Sequence, residues 1–198
     1  MARPRGVEDA VILRAAAQVM GRVGPVGFTL AAVADEVGLV AGTLVQRFGS
    51  KRGLLLALAE LSARDADALP ARVRPAHTTA LDALEALLVE LTDQVATPES
   101  FAHHLAFLCT DLTDPEFRRH ALVVHDAQRR AVETLLVEAV AAGELRPGTN
   151  TGALADTVQA VTAGTGLVWA LDRRDALAIR LRRELAAVLT AHRNPPEA

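Results

Sequence analysis

Gln46 and Arg47 stand side by side in the stretch GTLVQRFGSK, residues 42–51, and together offer an amide and a guanidinium. An amide carries a donor and an acceptor at the spacing of an adenine edge, and a guanidinium matches the acceptors of guanine or a phosphate. Val45 before them can touch a thymine methyl. Gly42 lets the backbone approach another molecule closely, and Thr43 adds a hydroxyl. Lys51, the only lysine of the chain, follows a Gly-Ser turn at the start of a long helical pattern. There its charge and the free backbone N–H groups could converge on a phosphate. Arg3 and Arg5 lie on an N-terminal arm that could enter a minor groove.

These groups need a short helix to carry them. At 100° per residue, Ala41, Leu44 and Phe48 share one side of a helix over about residues 40–48. Gly42, Thr43 and Gln46 point the other way, with Val45 and Arg47 on the flanks. A turn of about three residues, Gly38-Leu39-Val40, joins this helix to a preceding one over Leu30–Val37, for which Thr29 is a good N-cap and Gly38 a good stop. That is the anatomy of a helix-turn-helix, whose second helix enters the major groove. It is equally the anatomy of an ordinary helical hairpin with a solvated face.

The whole chain reads as all-α. Of its 198 residues 51% are hydrophobic but only 3% aromatic, so the core must be built from Ala, Leu and Val, which with Arg and Glu favour helix. Helical periodicity predicts about nine helices. The first covers residues 8–23 and is broken by Gly24-Pro25-Val26-Gly27. The fourth runs from Lys51 to about Leu69, followed by a linker with two prolines over residues 70–76. Further helices are expected over 79–95, after Thr97-Pro98-Glu99, after Asp114-Pro115-Glu116, over 152–171 and over 173–192. Charge is uneven. Residues 1–64 hold eight Arg and Lys against five Asp and Glu, a net of +3, while the remainder holds thirteen against nineteen. A basic head on an acidic body suits a nucleic-acid reader with a second task.

The stretch ILRAAAQVMGRVGPVGFTLAAVADEVGLVAGTLVQRFGSKRGLLLAL resembles the N-terminal domain of the TetR family of repressors. The matching features are Ile12 with Ala15-Ala16, Gly24, the cap Thr29, Val33-Ala34, Gly38, Gly42-Thr43-Leu44, Phe48, Lys51 and Leu54-Leu55. One departure stands out: the family usually has Tyr, a phosphate contact, where this chain has Val45. The resemblance implies a homodimer on operator DNA that lets go when a small molecule occupies the C-terminal body. It also implies an N-terminal helix-turn-helix domain over 1–50, a connecting helix and linker over 51–75, and a ligand-binding and dimerisation domain over 76–198. The last two helices would pair with their twins. Leu154, Val158, Val161, Thr165 and Val168 supply an apolar stripe for this, and Gly164 and Gly166 permit close approach. Local helix irregularity is the plainer reading of those glycines.

Candidate ligand contacts in the body are His103, Phe107, His125, Gln128 and Trp169, a few polar groups among apolar ones. Glu99/His103 and Glu116/His120 have the i,i+4 spacing of metal pairs, a spacing that surface hydrogen bonds share, and no metal is expected. No motif asks for a cofactor, and no HExxH, phosphate loop or nucleophile elbow marks an enzyme. A single cysteine, Cys109, and no long apolar run suggest a cytoplasmic protein without a membrane span. The expected function is that of a ligand-responsive transcriptional regulator, a repressor by family resemblance. The alternative is a helical small-molecule-binding or scaffold protein that has lost DNA affinity.

Overall fold

The computed structural model describes residues 7–92, 95 and 97–194. Its helices are α1 (Asp9–Gly27), α2 (Leu30–Glu36), α3 (Ala41–Phe48), α4 (Lys51–Val73), α5 (Ala80–Leu91), α6 (Pro98–Thr113), α7 (Pro115–Ala141), α8 (Thr151–Asp172) and α9 (Leu177–Thr190). Among the described residues there is no strand, and no helix is long and apolar enough to cross a membrane. Arg3 and Arg5 lie outside the described residues.

The chain divides into two compact units, and the division is not the sequential one that the sequence suggests. Unit one joins Met1–Ala63 to Glu99–Val124, and unit two joins Arg64–Pro98 to His125–Ala198. Most of α6 and the start of α7 thus group with the first three helices and the first half of α4.

Unit one is built on Ile12, Leu13, Ala16 and Val19 of α1, Phe28, Val33, Leu44, Leu54, Leu58 and Phe107. The break expected after residue 23 falls at Gly24, whose φ of 64° and ψ of −175° are left-handed backbone that favours glycine. Thr29 accepts a hydrogen bond from the Ala32 amide at 3.1 Å and so opens α2 as expected.

Unit two packs Leu84, Leu87 and Leu88 of α5 on Val132, Leu135 and Leu136 of α7, Leu154 and Val158 of α8, and Leu185 and Leu189 of α9. Three expectations change here. The helix α4 does not stop before Pro70 but runs to Val73, because Leu69 and Val73 are both buried in this core. Their burial offsets the amide hydrogen bond that proline removes. The last helix begins at Leu177, not at 173. Arg173 (φ 55°) ends α8 in the left-handed region and Asp175 (φ 58°) follows, while the Trp169 indole N–H donates to the Asp175 carbonyl at 3.1 Å. The stripe of α8 offered to a partner is in large part turned inward instead: Leu154, Val158 and Thr165 are buried within the protomer, and only Val168 is half exposed.

Candidate nucleic-acid interface

The helix α3 is short and buries one side chain completely, Leu44. On its other side Gly42, Val45, Gln46 and Arg47 are exposed, and Thr43 is half-buried. A Cβ on Gly42 would meet nothing within 4 Å, so nothing in the protomer requires glycine there. Val45 is 48% exposed, and Val40, at the N-cap of α3, is 72% exposed. Two further apolar groups that the sequence did not single out, Val40 and Val26, therefore face outward in unit one, Val26 at 97%. Bare valines at turns give no periodic signal, which is why pattern reading passed over them.

The two basic residues behave differently from Gln46. Arg47 turns back to the start of α1, where Nη1 donates to the Asp9 carboxylate at 3.1 Å and to the Val7 carbonyl. In this state it braces α1 instead of reaching outward. Lys51 Nζ donates to the Pro25 carbonyl at 3.0 Å and lies over the Phe28 ring, 5.4 Å from its centroid. One of its three donors is thereby used to fix the side chain, and a cation over an aromatic face is itself stabilised. Thr29 points its hydroxyl at its own helix. Arg22, exposed on α1, pairs with Glu36 of α2 at 2.5 Å, and this bond holds the Glu36 carboxyl below the usual carboxylate range.

The helix α6 presents His103 and Phe107, one helical turn apart, to the rest of unit one. His103 hydrogen-bonds through Nδ1 to the Gly21 carbonyl at 2.8 Å, and a Cβ on Gly24 would stand 2.7 Å from its ring. Phe107 is buried and meets Phe28 edge-on, with centroids 5.6 Å apart. The Asp111 carboxyl is pushed up by burial and by the nearby Asp114 charge. Asp114 begins α7 by accepting from the Glu116 and Phe117 amides at 2.9 and 3.3 Å.

The five ligand candidates are divided between the two units. His103 and Phe107 belong to unit one and pack there, while His125, Gln128 and Trp169 belong to unit two. His125 is exposed, Gln128 half-buried, and Trp169 buried. Sequence reading missed Gln159 of α8. Its Nε2 donates to the His125 carbonyl at 3.2 Å, and its Oε1 is buried with no hydrogen-bond partner. Among the described residues no three His, Cys, Asp or Glu side chains gather as a metal site. His103 Nδ1 hydrogen-bonds to the Gly21 carbonyl, and Glu116 accepts from Arg52.

A three-helix head with an exposed, partly polar α3, closed by the Lys51 turn, has the arrangement of a helix-turn-helix. Comparison with known proteins agrees. Residues 12–58 match the model of bacterial regulatory proteins of the tetR family. No curated protein matches the sequence significantly. Among solved structures, a protein of Saccharomonospora viridis assigned as a transcriptional regulator, in complex with choline, superimposes with a TM-score of 0.72 at 19% identity, covering 92% of this chain and 95% of that one. SmeT, the repressor of the Stenotrophomonas maltophilia multidrug efflux pump SmeDEF, gives 0.67 at 18%, covering 96% and 93%. The regulator FadR of Bacillus subtilis in complex with stearoyl-CoA gives 0.65 at 17%, covering 92% and 98%. At these identities the likeness is one of fold.

Proposed function

We propose that this chain is a ligand-responsive repressor that grips near-palindromic operator DNA as a homodimer and releases it when a small molecule binds unit two. The observation that carries the reading is the exposed face of α3. The Gln46 side chain is exposed and makes no hydrogen bond among the described residues, with an open Gly42 one turn earlier, so its amide is free for a base edge. Lys51, oriented by the Pro25 carbonyl and the Phe28 ring, keeps two donors for a phosphate. The Tyr usual in this family is Val45 here, so the operator sequence is this protein's own.

Dimerisation would use α8 and α9. Ala153, Thr157, Ala160, Gly164, Leu167 and Leu171 form an exposed stripe of small and apolar groups on α8, and Ile179 is 55% exposed on α9. A two-fold dimer would place its reading helices about 34–36 Å apart, one turn of DNA. For the effector, relatives of the same fold hold molecules as unlike as choline and stearoyl-CoA, which supports a small-molecule site and leaves its chemistry to this chain. The buried, unpaired Gln159 Oε1 asks for a donor, so the effector carries a hydroxyl, amide or ammonium beside apolar bulk.

The test is fluorescence anisotropy on DNA from upstream of the protein's own gene, with scrambled DNA beside it at two salt concentrations. Tight, salt-sensitive preference for the native fragment is expected. Feeble binding that is equal on both fragments, repeated with a genome-wide selection of bound DNA, would favour a helical binding protein that no longer reads DNA.

A further inference from the structure

Arg52 follows Lys51 in the first turn of α4 and holds several partners at once. Its Nη1 donates to Asp114 Oδ2 at 2.5 Å, and its Nη2 to Asp114 Oδ1 at 3.1 Å and to Glu116 Oε2 at 2.6 Å. The guanidinium also lies over the Phe117 ring, 4.7 Å from the centroid. Two carboxylates and an aromatic face from the α6–α7 turn thus converge on one cation, with Asp111 close enough to feel the Asp114 charge. One residue earlier, Lys51 is tied to a different element, the Pro25 carbonyl in the last turn of α1. The start of α4 is therefore held from two directions, and only Gly49-Ser50 separates it from α3.

We propose that Arg52, Asp114 and Glu116 are positioning residues for DNA binding: the α6–α7 turn, by clamping Arg52, sets where α4 begins and hence where the Lys51 ammonium and α3 meet DNA. The inference rests on the DNA reading given above. The physical argument is a contrast of scales. Arg52 is 45% exposed in its side chain, and an exposed ion pair adds little to global stability because water and salt screen it. A phosphate contact, however, needs its ammonium within hydrogen-bond distance, and a shift of about 1 Å in the helix that carries it is enough to lose it. Bidentate Arg–carboxylate geometry fixes orientation as well as distance, which is what positioning requires. A clamp of this kind moves binding far more than it moves unfolding.

The experiment is a double-mutant cycle on the full-length chain, using the bound DNA fragment identified above as probe. Asp114→Asn with Glu116→Gln removes both negative charges from Arg52, and asparagine retains the capping oxygen that α7 needs. Arg52→Gln breaks the same clamp from the other side. Either variant is expected to weaken binding about tenfold, to lower the salt slope by about one, and to keep a thermal midpoint within a few degrees of the parent. Adding Lys51→Ala to either should cost nothing further, since its contact is already lost. Wild-type affinity in both clamp variants, or full additivity with Lys51→Ala, would overturn the proposal. If instead the parent protein shows no preference for any fragment, the DNA reading itself fails, and the clamp falls with it.

Discussion

Gly53 lies so close beneath the Phe48 carbonyl that a methyl group in place of its hydrogen would fall well inside contact with that oxygen. The carbonyl belongs to the last residue of α3 and the glycine to the first turn of α4, so the pair fixes the angle of the turn between them. Glycine inside a helix normally costs about 0.5–1 kcal/mol against alanine. Here the sign reverses. Gly53→Ala should destabilise unit one by about 1–3 kcal/mol, as overpacking does, and weaken DNA binding as well. Urea unfolding followed by circular dichroism measures the first effect. A stabilised variant would mean that α4 starts differently in solution.

Gln46 and Lys51 should fail in different ways. Gln46→Ala is expected to relax base preference at one position of each half-site, worth about 1–3 kcal/mol, with little change on unrelated DNA. Lys51→Ala should weaken every sequence alike and reduce the salt slope by about one. Selection from random DNA, together with a salt titration, separates the two. Uniform loss from Gln46→Ala would place its amide on the backbone instead of a base.

Glu144, in the turn after α7, places its two carboxylate oxygens 2.8 and 2.9 Å from the Ala80 and Leu81 amides, the first of α5. It is a cap supplied from 63 and 64 residues away, alongside the local cap from Thr79 to the Asp82 amide at 3.0 Å. Losing a cap of this kind costs about 0.5–2 kcal/mol, so Glu144→Ala should lower the unfolding midpoint by a few degrees, with Glu144→Gln between it and the parent. Operator affinity at low temperature should be unchanged.

Acid should reveal the Arg52 clamp. Hydrogen bonds from Arg52, reinforced by the Glu116 and Phe117 amides, hold the Asp114 carboxyl well below the usual range in the folded protein. A lowered folded pKa means that its contribution is complete above the unfolded value, about pH 4, and is lost as pH falls from there toward the folded one. The parent and Asp114→Asn should therefore differ by a constant amount from about pH 5 to 7 and converge below about pH 4. Stability curves that stay parallel as pH falls below about 4 would show that Asp114 is not paired in solution.

Much of the head was legible because its signals are local. Thr29 as a cap, Gly24 as a break and Leu44 as the buried member of α3 all follow from residue type and period within a few positions. What eluded the sequence is contact between segments far apart. Nothing near residue 103 says that its imidazole will seat against Gly21, or that Phe107 will meet Phe28 edge-on. Arg47 looked outward-facing because its partners, Asp9 and the Val7 carbonyl, lie about 40 residues upstream. Pro70 read as a stop because its cost is local while the burial of Leu69 and Val73 is tertiary. Similarly, the apolar stripe of α8 said that something covers it, and the covering turned out to be the protomer itself.

Trp169 is the chain's one tryptophan, and there is no tyrosine at all. It sits in unit two, 4% exposed, with its indole N–H on the Asp175 carbonyl. All five phenylalanines, at 28, 48, 101, 107 and 117, fall in unit one. The two units are thus spectroscopically orthogonal: indole emission reports unit two alone, and unit one is dark to it. An unfolding curve recorded through that emission is a curve for half the molecule, and its disagreement with a backbone signal would count how many cooperative transitions the chain contains.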